Sequence, residues 1–198
     1  MQFEIYAVWA VLLVVVTSLL LLSLRDWRLS LAALGLQYMG VFVLVGLTWP
    51  LEMAVVKLVA GWIGSAILGM ELVSETKNVF GEDRLRVSRQ LFRLILALLV
   101  GMALLSLAPE AAKWMLRASY EQILGGLLLM GMGILHMGVS DQPFRIILGI
   151  LTATSGFEIL YGTLDVSAVA AGLLALMNLG IALIGAYLIA TPSEESEV

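Results

Sequence analysis

Two charged side chains that lie inside long apolar segments are the first candidates for chemistry. Lys57 lies roughly 10 Å past the boundary at Trp49, counted at a helical rise of about 1.5 Å per residue. Glu158 lies about 6 Å from the end of its own segment by the same count. A charge inside membrane hydrocarbon is costly, so each of these residues is a functional hypothesis by default.

Both depths are counted from the same face, so we predict that Lys57 and Glu158 form a buried intramembrane ion pair or part of an ion pathway. Glu52 lies near that face and belongs to the same candidate set, although it can reach water. The alternative is that Lys57 extends its ammonium group outward alone and that Glu158 meets lipid headgroups.

Three neutral or weakly basic side chains also interrupt the apolar segments. Gln37 and Asn178 carry amides, which hydrogen-bond a neighbouring helix more often than they bind a ligand. His136 can titrate near neutral pH and handle protons, or it can anchor a helix at the membrane interface. Polar contacts between helices are the prediction for all three. Glycines at helical spacing predict close packing of helices, at Gly61, Gly64, Gly69, Gly125, Gly126, Gly131, Gly133 and Gly138.

The elements that must hold these residues are apolar helices. Of the 198 residues, 61% are hydrophobic and 13% are charged, which is too apolar for a soluble domain. A span takes about 20 apolar residues, and seven segments approach that length: 5–24, 29–48, 51–70, 91–107, 122–139, 144–160 and 166–190. The predicted fold class is therefore an all-α integral membrane protein with seven transmembrane helices.

The basic residues predict how these helices are oriented. With seven spans the connections alternate sides, and one side receives eight of the eleven Lys and Arg residues: Arg25, Arg28, Lys77, Arg84, Arg86, Arg89, Arg93 and Arg145. The positive-inside rule places that side in the cytoplasm, with the N-terminus outside, in the inner membrane of a prokaryote. The basic stretch before the fourth segment predicts contact with anionic lipid rather than nucleic acid.

Polar connections divide the chain into six predicted parts. Pro109 at a first helical position, with Trp114 and Tyr120 among charges, predicts a short helix in the membrane interface, or else a simple connecting turn. The parts are 1–71, a three-helix unit; 72–90, a cytoplasmic loop; 91–107, a linking helix; 108–120, the outer interfacial segment; 121–190, a second three-helix unit; and 191–198, an acidic tail.

A weak internal repeat relates the two three-helix units. The run RLSLAALGLQYMG begins at Arg28 and the run RIILGILTATSG begins at Arg145, and each leads from a cytoplasmic arginine to a glycine about twelve residues on. The repeat predicts two parallel three-helix units joined by the fourth helix, as occurs in transporters. A chance likeness between apolar helices is the alternative.

The residue types that are scarce exclude several functions. The chain has no cysteine and one histidine, so it cannot by itself supply the usual ligands of an iron–sulfur cluster, a bis-histidine haem or a structural zinc ion. The sequence contains no nucleophile–base motif, phosphate-binding glycine loop or zinc-protease motif. We therefore predict neither an enzyme active site nor a cofactor in this chain.

Two regions resemble a known family of membrane subunits. The run LSLRDWRLSLAALGLQ, which begins at Leu22, resembles the start of component E of hydrogenase-4. The runs DQPFRIILGILTATSGFE, from Asp141, and LLALMNLGIAL, from Leu173, resemble the end of that component. The same runs are similar to the three-helix K subunit of complex I and to the C subunit of multisubunit cation/proton antiporters.

The resemblance implies a non-catalytic subunit of a membrane arm that packs beside a larger antiporter-like subunit and serves proton or sodium translocation. That family carries a glutamate in its second helix, where this chain offers Leu151, Thr152 or Thr154, and another near the position of Asn178. Glu158 lies about one turn further along. The missing carboxylates imply a structural or coupling role rather than proton conduction by this chain itself.

Two other classes of function stay open on the sequence. One is a stand-alone small transporter built from two parallel three-helix repeats. The other is a structural or assembly subunit of a different respiratory or photosynthetic membrane complex. For the leading interpretation the expected partners are other integral membrane subunits, among them an antiporter-like subunit, and lipid, but not nucleic acid.

Overall fold

The computed structural model describes residues 2–24, 26–74 and 87–191, without the side chains of residues 2–5 and 87–89. Over these residues the chain forms seven α-helices and no strand. The helices are α1 Gln2–Ser23, α2 Trp27–Gly46, α3 Leu51–Ser74, α4 Val87–Trp114, α5 Tyr120–Gly138, α6 Pro143–Leu164 and α7 Ala168–Ala190. The predicted all-α class is confirmed for this part of the chain.

Local sequence explains where several helices begin. The Asp26 side chain accepts a hydrogen bond from the backbone N–H of Arg28 and so caps α2. Ser119 and Gln122 form a reciprocal capping box at the start of α5. Ser167 caps α7 in the same way as Asp26 caps α2. These caps satisfy backbone donors that have no partner within the helix.

Six of the seven helices are long and apolar enough to cross a membrane, which indicates a membrane protein. The exception is α5, so the prediction of seven spans is not confirmed. The reason lies in its composition: α5 opens on Tyr120, Glu121 and Gln122, contains five glycines and ends near His136. These residues lower its mean hydropathy, although its 19 residues match the length of a span.

The region around Pro109 differs from the expectation of a separate interfacial helix. Instead α4 continues through Pro109 to Trp114, well past the predicted end of the linking helix at residue 107. Glu110, Ala111 and Ala112 are compatible with a helix, and Lys113 donates a 2.7 Å hydrogen bond back to Glu110. The predicted loop 72–90 is shorter, because α3 reaches Ser74 and α4 begins at Val87. The residues between them, and the tail from residue 192, lie outside the described part.

Helices α5 and α6 pack most closely, and glycines at their contact explain why. A Cβ atom on Gly156 would lie 2.5 Å from the carbonyl oxygen of Gly126, and a Cβ atom on Gly133 would lie 2.6 Å from that of Gly149. These two contacts are spaced along both helices. The two helices therefore run side by side along most of their length with their backbones almost touching.

The remaining contacts arrange the two three-helix groups against each other. Within the groups, α1 packs on α2 and α2 on α3, while α5 packs on α6 and α6 on α7. Between them, α1 packs on α5, α2 on α6 and α3 on α7. Helix α4 lies at the periphery against α5 and α1, with only 11% of its apolar span buried against 61% for α6. The proposed duplication itself stays a prediction.

Candidate functional site

The structure brings Lys57 and Glu158 together inside the bundle. Their side chains, on α3 and α6, form an ion pair between Nζ and Oε2 and are only 5% and 2% exposed. Lys57 does not extend its ammonium group to the surface, because the carboxylate holds it in the interior. Each charge is thereby compensated at a depth where an isolated charge would be strongly unfavourable.

An aromatic ring supports the ammonium group from a second side. The Nζ atom of Lys57 lies 5.0 Å from the ring centroid of Tyr38, within the range of a cation–π interaction. The Tyr38 ring packs against Gly61, where a Cβ atom would lie 2.5 Å from it. The glycine predicted to serve helix packing thus makes room for the ring that contacts Lys57.

A chain of hydrogen bonds between neutral side chains crosses the interior of the bundle. The Gln37 amide donates to the Ser18 hydroxyl at 2.9 Å and accepts from the Thr152 hydroxyl at 3.1 Å. All three side chains are buried, and they connect α1, α2 and α6. Gln37 therefore makes polar contacts with two helices at once.

Asn178 lies near the pair but lacks the predicted hydrogen bond to a neighbouring helix. Its side chain is 1% exposed, and neither amide atom has a hydrogen-bond partner among the described residues. The Tyr38 hydroxyl faces Asn178 and Ser155. Buried amides normally bond to protein or ordered water, so Asn178 leaves hydrogen-bonding capacity unused beside the Tyr38 hydroxyl.

The other two predicted site residues lie apart from this cluster. Glu52 is exposed in the first turn of α3 and does not join the buried cluster. His136 is 2% exposed near the end of α5, so it is not an interfacial anchor. Its Nε2 atom has no hydrogen-bond partner within the described residues, so the predicted polar contact is not seen at that atom. The charges of Arg145 and Arg93 act on it instead.

Sequence reasoning missed several members of the cluster. Thr152, Ser155 and Glu158 follow each other at three-residue spacing, which places them on one face of α6. That spacing was the available signal for Thr152 and Ser155. Tyr38 carried no such signal, because an aromatic residue in an apolar helix reads as core. Gln122 was also missed, and its amide donates to the Leu44 carbonyl and the Thr48 hydroxyl across the α2–α5 contact.

The arrangement can couple a change in protonation to a change in local charge. Glu158 can exchange a proton, and its neutralisation would release the ammonium group of Lys57 from its partner. Such a pair has two states that differ strongly in local field.

Comparisons of the chain with protein-family models, with curated proteins and with solved structures found no match.

Proposed function

We propose that this protein is a non-catalytic membrane subunit of an assembly that translocates protons or sodium ions. The assembly would be of the complex I-like, membrane-bound hydrogenase-like or multisubunit antiporter-like kind, with a larger antiporter-like subunit beside this chain. The observation that carries the proposal is the buried Lys57–Glu158 pair. Ionisable residues inside membrane helices are rare, and they mark ion pathways and the elements coupled to them.

The chain's own polar groups favour coupling over conduction. The chain of Ser18, Gln37 and Thr152 consists of neutral side chains that do not titrate near pH 7. Along α6 from Glu158 towards Arg145, the neutral side chains of Ser155 and Thr152 come first, and the buried side chains beyond them, Leu151, Leu148 and Ile147, are apolar. A proton that left Glu158 in this direction would meet the apolar section beyond Thr152, so we assign the pair to sensing ion movement in a neighbouring subunit.

In the proposed arrangement all seven helices cross the membrane. Helix α5 lies beside α6 along its length and is buried on that side, and α6 is itself long and apolar enough to span. At about 1.5 Å per residue, the 19 residues of α5 approach the hydrocarbon thickness of about 30 Å. The distribution of basic residues supports an outer N-terminus and a cytoplasmic C-terminus in the inner membrane of a prokaryote.

The test isolates the protein together with its partners and then removes the buried charge of Lys57. An affinity-tagged chain extracted in mild detergent is expected to retain other integral membrane subunits. Ion translocation is then compared only between assemblies of the same subunit composition, and in those the Lys57→Met variant is expected to lower it at least tenfold. The matched control is Lys113→Met, because Lys113 is exposed in the last turn of α4.

Two outcomes would contradict this proposal. If the Lys57→Met assembly translocates ions at the parent rate, the pair has no coupling role and the chain is a structural subunit. If the purified chain alone, in sealed vesicles, gives a proton or sodium flux that Glu158→Gln abolishes, it is a transporter in its own right.

The second candidate function, a stand-alone small transporter, has one observation in its favour. Five helices bring polar side chains to the same buried region, through Ser18, Gln37, Lys57, Glu158 and Asn178. Transporters place their ion sites near the membrane centre at the contact between repeats. The vesicle experiment separates this candidate from the leading one, because only a transporter would work without partners.

A further inference from the structure

A second group of buried polar side chains lies at the end of the bundle where α5 ends and α6 begins. His136 lies in the last turn of α5, Ser140 lies in the short connection, and Arg145 lies in the first turn of α6. Arg93, near the start of α4, approaches the same place and donates a hydrogen bond to the carbonyl oxygen of Val139 at 2.7 Å. The group is separate from the Lys57–Glu158 pair, which lies towards the opposite ends of these helices.

Two members of this group are buried donors without a partner. His136 and Ser140 are 2% and 6% exposed, and neither the imidazole Nε2 atom nor the hydroxyl Oγ atom is hydrogen-bonded to any described residue. A buried polar group with no hydrogen bond costs stability, so native structures rarely leave one unsatisfied. Two such groups, four residues apart, leave hydrogen-bonding capacity that a water molecule or a ligand can use.

Positive charge surrounds these donors. The guanidinium groups of Arg145 and Arg93 both act electrostatically on the His136 imidazole. Arg145 is itself 9% exposed, and its Nη2 atom donates to the carbonyl oxygen of Leu24 at 3.0 Å. Its Nε atom donates to Gln142 at 3.2 Å. These contacts hold both guanidinium groups against the ends of three helices.

The start of α6 adds a further preference for negative charge. Gln142 occupies the N-cap position without capping the helix through its side chain, and Pro143 follows it. The free backbone N–H groups of the first turn and the helix dipole both favour an anion at this end. Asp141, the acid next to Ser140, is exposed.

We propose that His136, Ser140, Arg93 and Arg145 form a binding site for a phosphate group. The oxygens of a phosphate group accept hydrogen bonds from a hydroxyl, an imidazole N–H and guanidinium groups at the same time, and arginine is well suited to them. The site lies at helix ends, the level at which lipid headgroups meet a membrane protein. The phosphate can belong to an anionic lipid or to a soluble phosphate ester, and both present the same chemistry.

The test uses the purified full chain in a neutral detergent. Phosphatidylglycerol, phosphatidylcholine with the same acyl chains, and glycerol phosphate are titrated separately. Binding is followed by native mass spectrometry and by the thermal unfolding temperature, read from the fluorescence of the five tryptophans. Both headgroups contain a phosphate, but the phosphate charge of phosphatidylcholine is balanced by its quaternary ammonium group. We therefore expect phosphatidylglycerol, whose headgroup has a net negative charge, to bind at least tenfold more tightly than phosphatidylcholine. Competition by glycerol phosphate would assign the site to a soluble ester, and its absence would assign the site to lipid.

The variants address the two unpartnered donors and leave both arginines in place. His136→Leu combined with Ser140→Ala is expected to weaken phosphate binding roughly tenfold, the effect of losing hydrogen bonds to a charged group. His136→Gln with Ser140 retained keeps an N–H donor and is expected to bind nearly as the parent does. Arg117→Gln is the control, because Arg117 is exposed beyond the opposite end of α4.

Two results would overturn the proposal. The first is equal binding of both lipids together with no effect of glycerol phosphate. The second is a double variant that binds phosphatidylglycerol as tightly as the parent chain. If the double variant fails to fold, Ser140→Ala alone provides the test, because replacing one hydroxyl group by a hydrogen atom leaves the packing almost unchanged. Parent-like binding of phosphatidylglycerol by that variant then overturns the proposal.

Discussion

Lys57 on α3 and Glu158 on α6 form an ion pair that joins two helices whose main packing partners are other helices. Helix α3 packs chiefly on α2 and α7, and α6 packs chiefly on α5 and α7. The pair therefore crosses the interior of the bundle rather than reinforcing an existing helix contact. Its stability depends on both charges being present, since either one alone would be buried without compensation.

Removing one partner of this pair is expected to destabilise the fold strongly. Lys57→Met strands the Glu158 carboxylate, and Glu158→Gln strands the ammonium group, so each change should cost about 3–5 kcal/mol. The double variant should recover most of that loss, because no uncompensated charge remains. Equilibrium unfolding in mixed detergent micelles measures all three variants against the parent.

The Lys113→Met variant is the control for loss of a lysine charge. Lys113 pairs with Glu110 on the surface, where both side chains are largely exposed, so we expect the free energy of unfolding to change by no more than about 0.5 kcal/mol.

The outcome that would contradict an energetic coupling between Lys57 and Glu158 is a double variant, Lys57→Met with Glu158→Gln, whose loss equals the sum of the two single losses.

The neutral hydrogen bonds beside the pair should contribute less. Gln37→Leu removes the bonds to Ser18 and Thr152 and leaves their hydroxyls in an apolar interior. Hydrogen bonds between membrane helices are worth about 0.6 kcal/mol on average and rarely exceed about 1.7 kcal/mol, so a loss of roughly 1–2 kcal/mol is expected. The same unfolding assay applies, with Gln90→Leu as the control because Gln90 is exposed on α4. If Gln37→Leu and Gln90→Leu lowered the free energy of unfolding by the same amount, the buried hydrogen bonds of Gln37 would have no stabilising role.

The contact between α5 and α6 should tolerate no added methyl group. In the Gly156→Ala variant the new Cβ atom would meet the carbonyl oxygen of Gly126 at 2.5 Å, so the two backbones must separate. Overpacking of this kind costs about 1–3 kcal/mol. Gly101→Ala is the control, because nothing lies within 4 Å of a Cβ atom at that position on α4. A thermal unfolding temperature that falls for Gly101→Ala as much as for Gly156→Ala would contradict the close approach.

Depth in the membrane could be predicted from the sequence, but lateral position could not. Counting residues from helix ends placed Lys57 and Glu158 in the same half of the bundle, and the two side chains do lie together. Which faces of two helices meet depends on their rotation, and a helix that is apolar all round, such as α7, encodes rotation weakly. The contact of Tyr38 with Lys57 and the position of Asn178 beside the Tyr38 hydroxyl both follow from rotation.

The prediction of a separate helix starting at Pro109 was wrong, because proline is compatible both with the start of a helix and with the continuation of one. Pro109 suggested the start of a new helix, because proline fits a first turn. A proline inside a helix removes one backbone hydrogen bond but does not have to end the helix. The alanines that follow Pro109 favour helix, so α4 continues to Trp114. The predicted connection 72–90 is shorter at both ends, because α3 reaches Ser74 and α4 begins at Val87, and α7 ends at Ala190, where the tail was predicted to begin. Residues 75–86 and 192–198 lie outside the described residues.

Whether α5 crosses the membrane can be decided by labelling single cysteines, since the chain has none of its own. Leu116 and Asp141 are exposed residues on either side of α5, so Leu116→Cys and Asp141→Cys are expected to react with a membrane-impermeant maleimide from opposite sides. Asp165→Cys, beyond the far end of α6, should react on the same side as Leu116→Cys. Labelling of Leu116→Cys and Asp141→Cys from one side would show that α5 does not span. The parallel relation of the two three-helix units would then fail, because α6 and α7 would be inverted relative to α2 and α3.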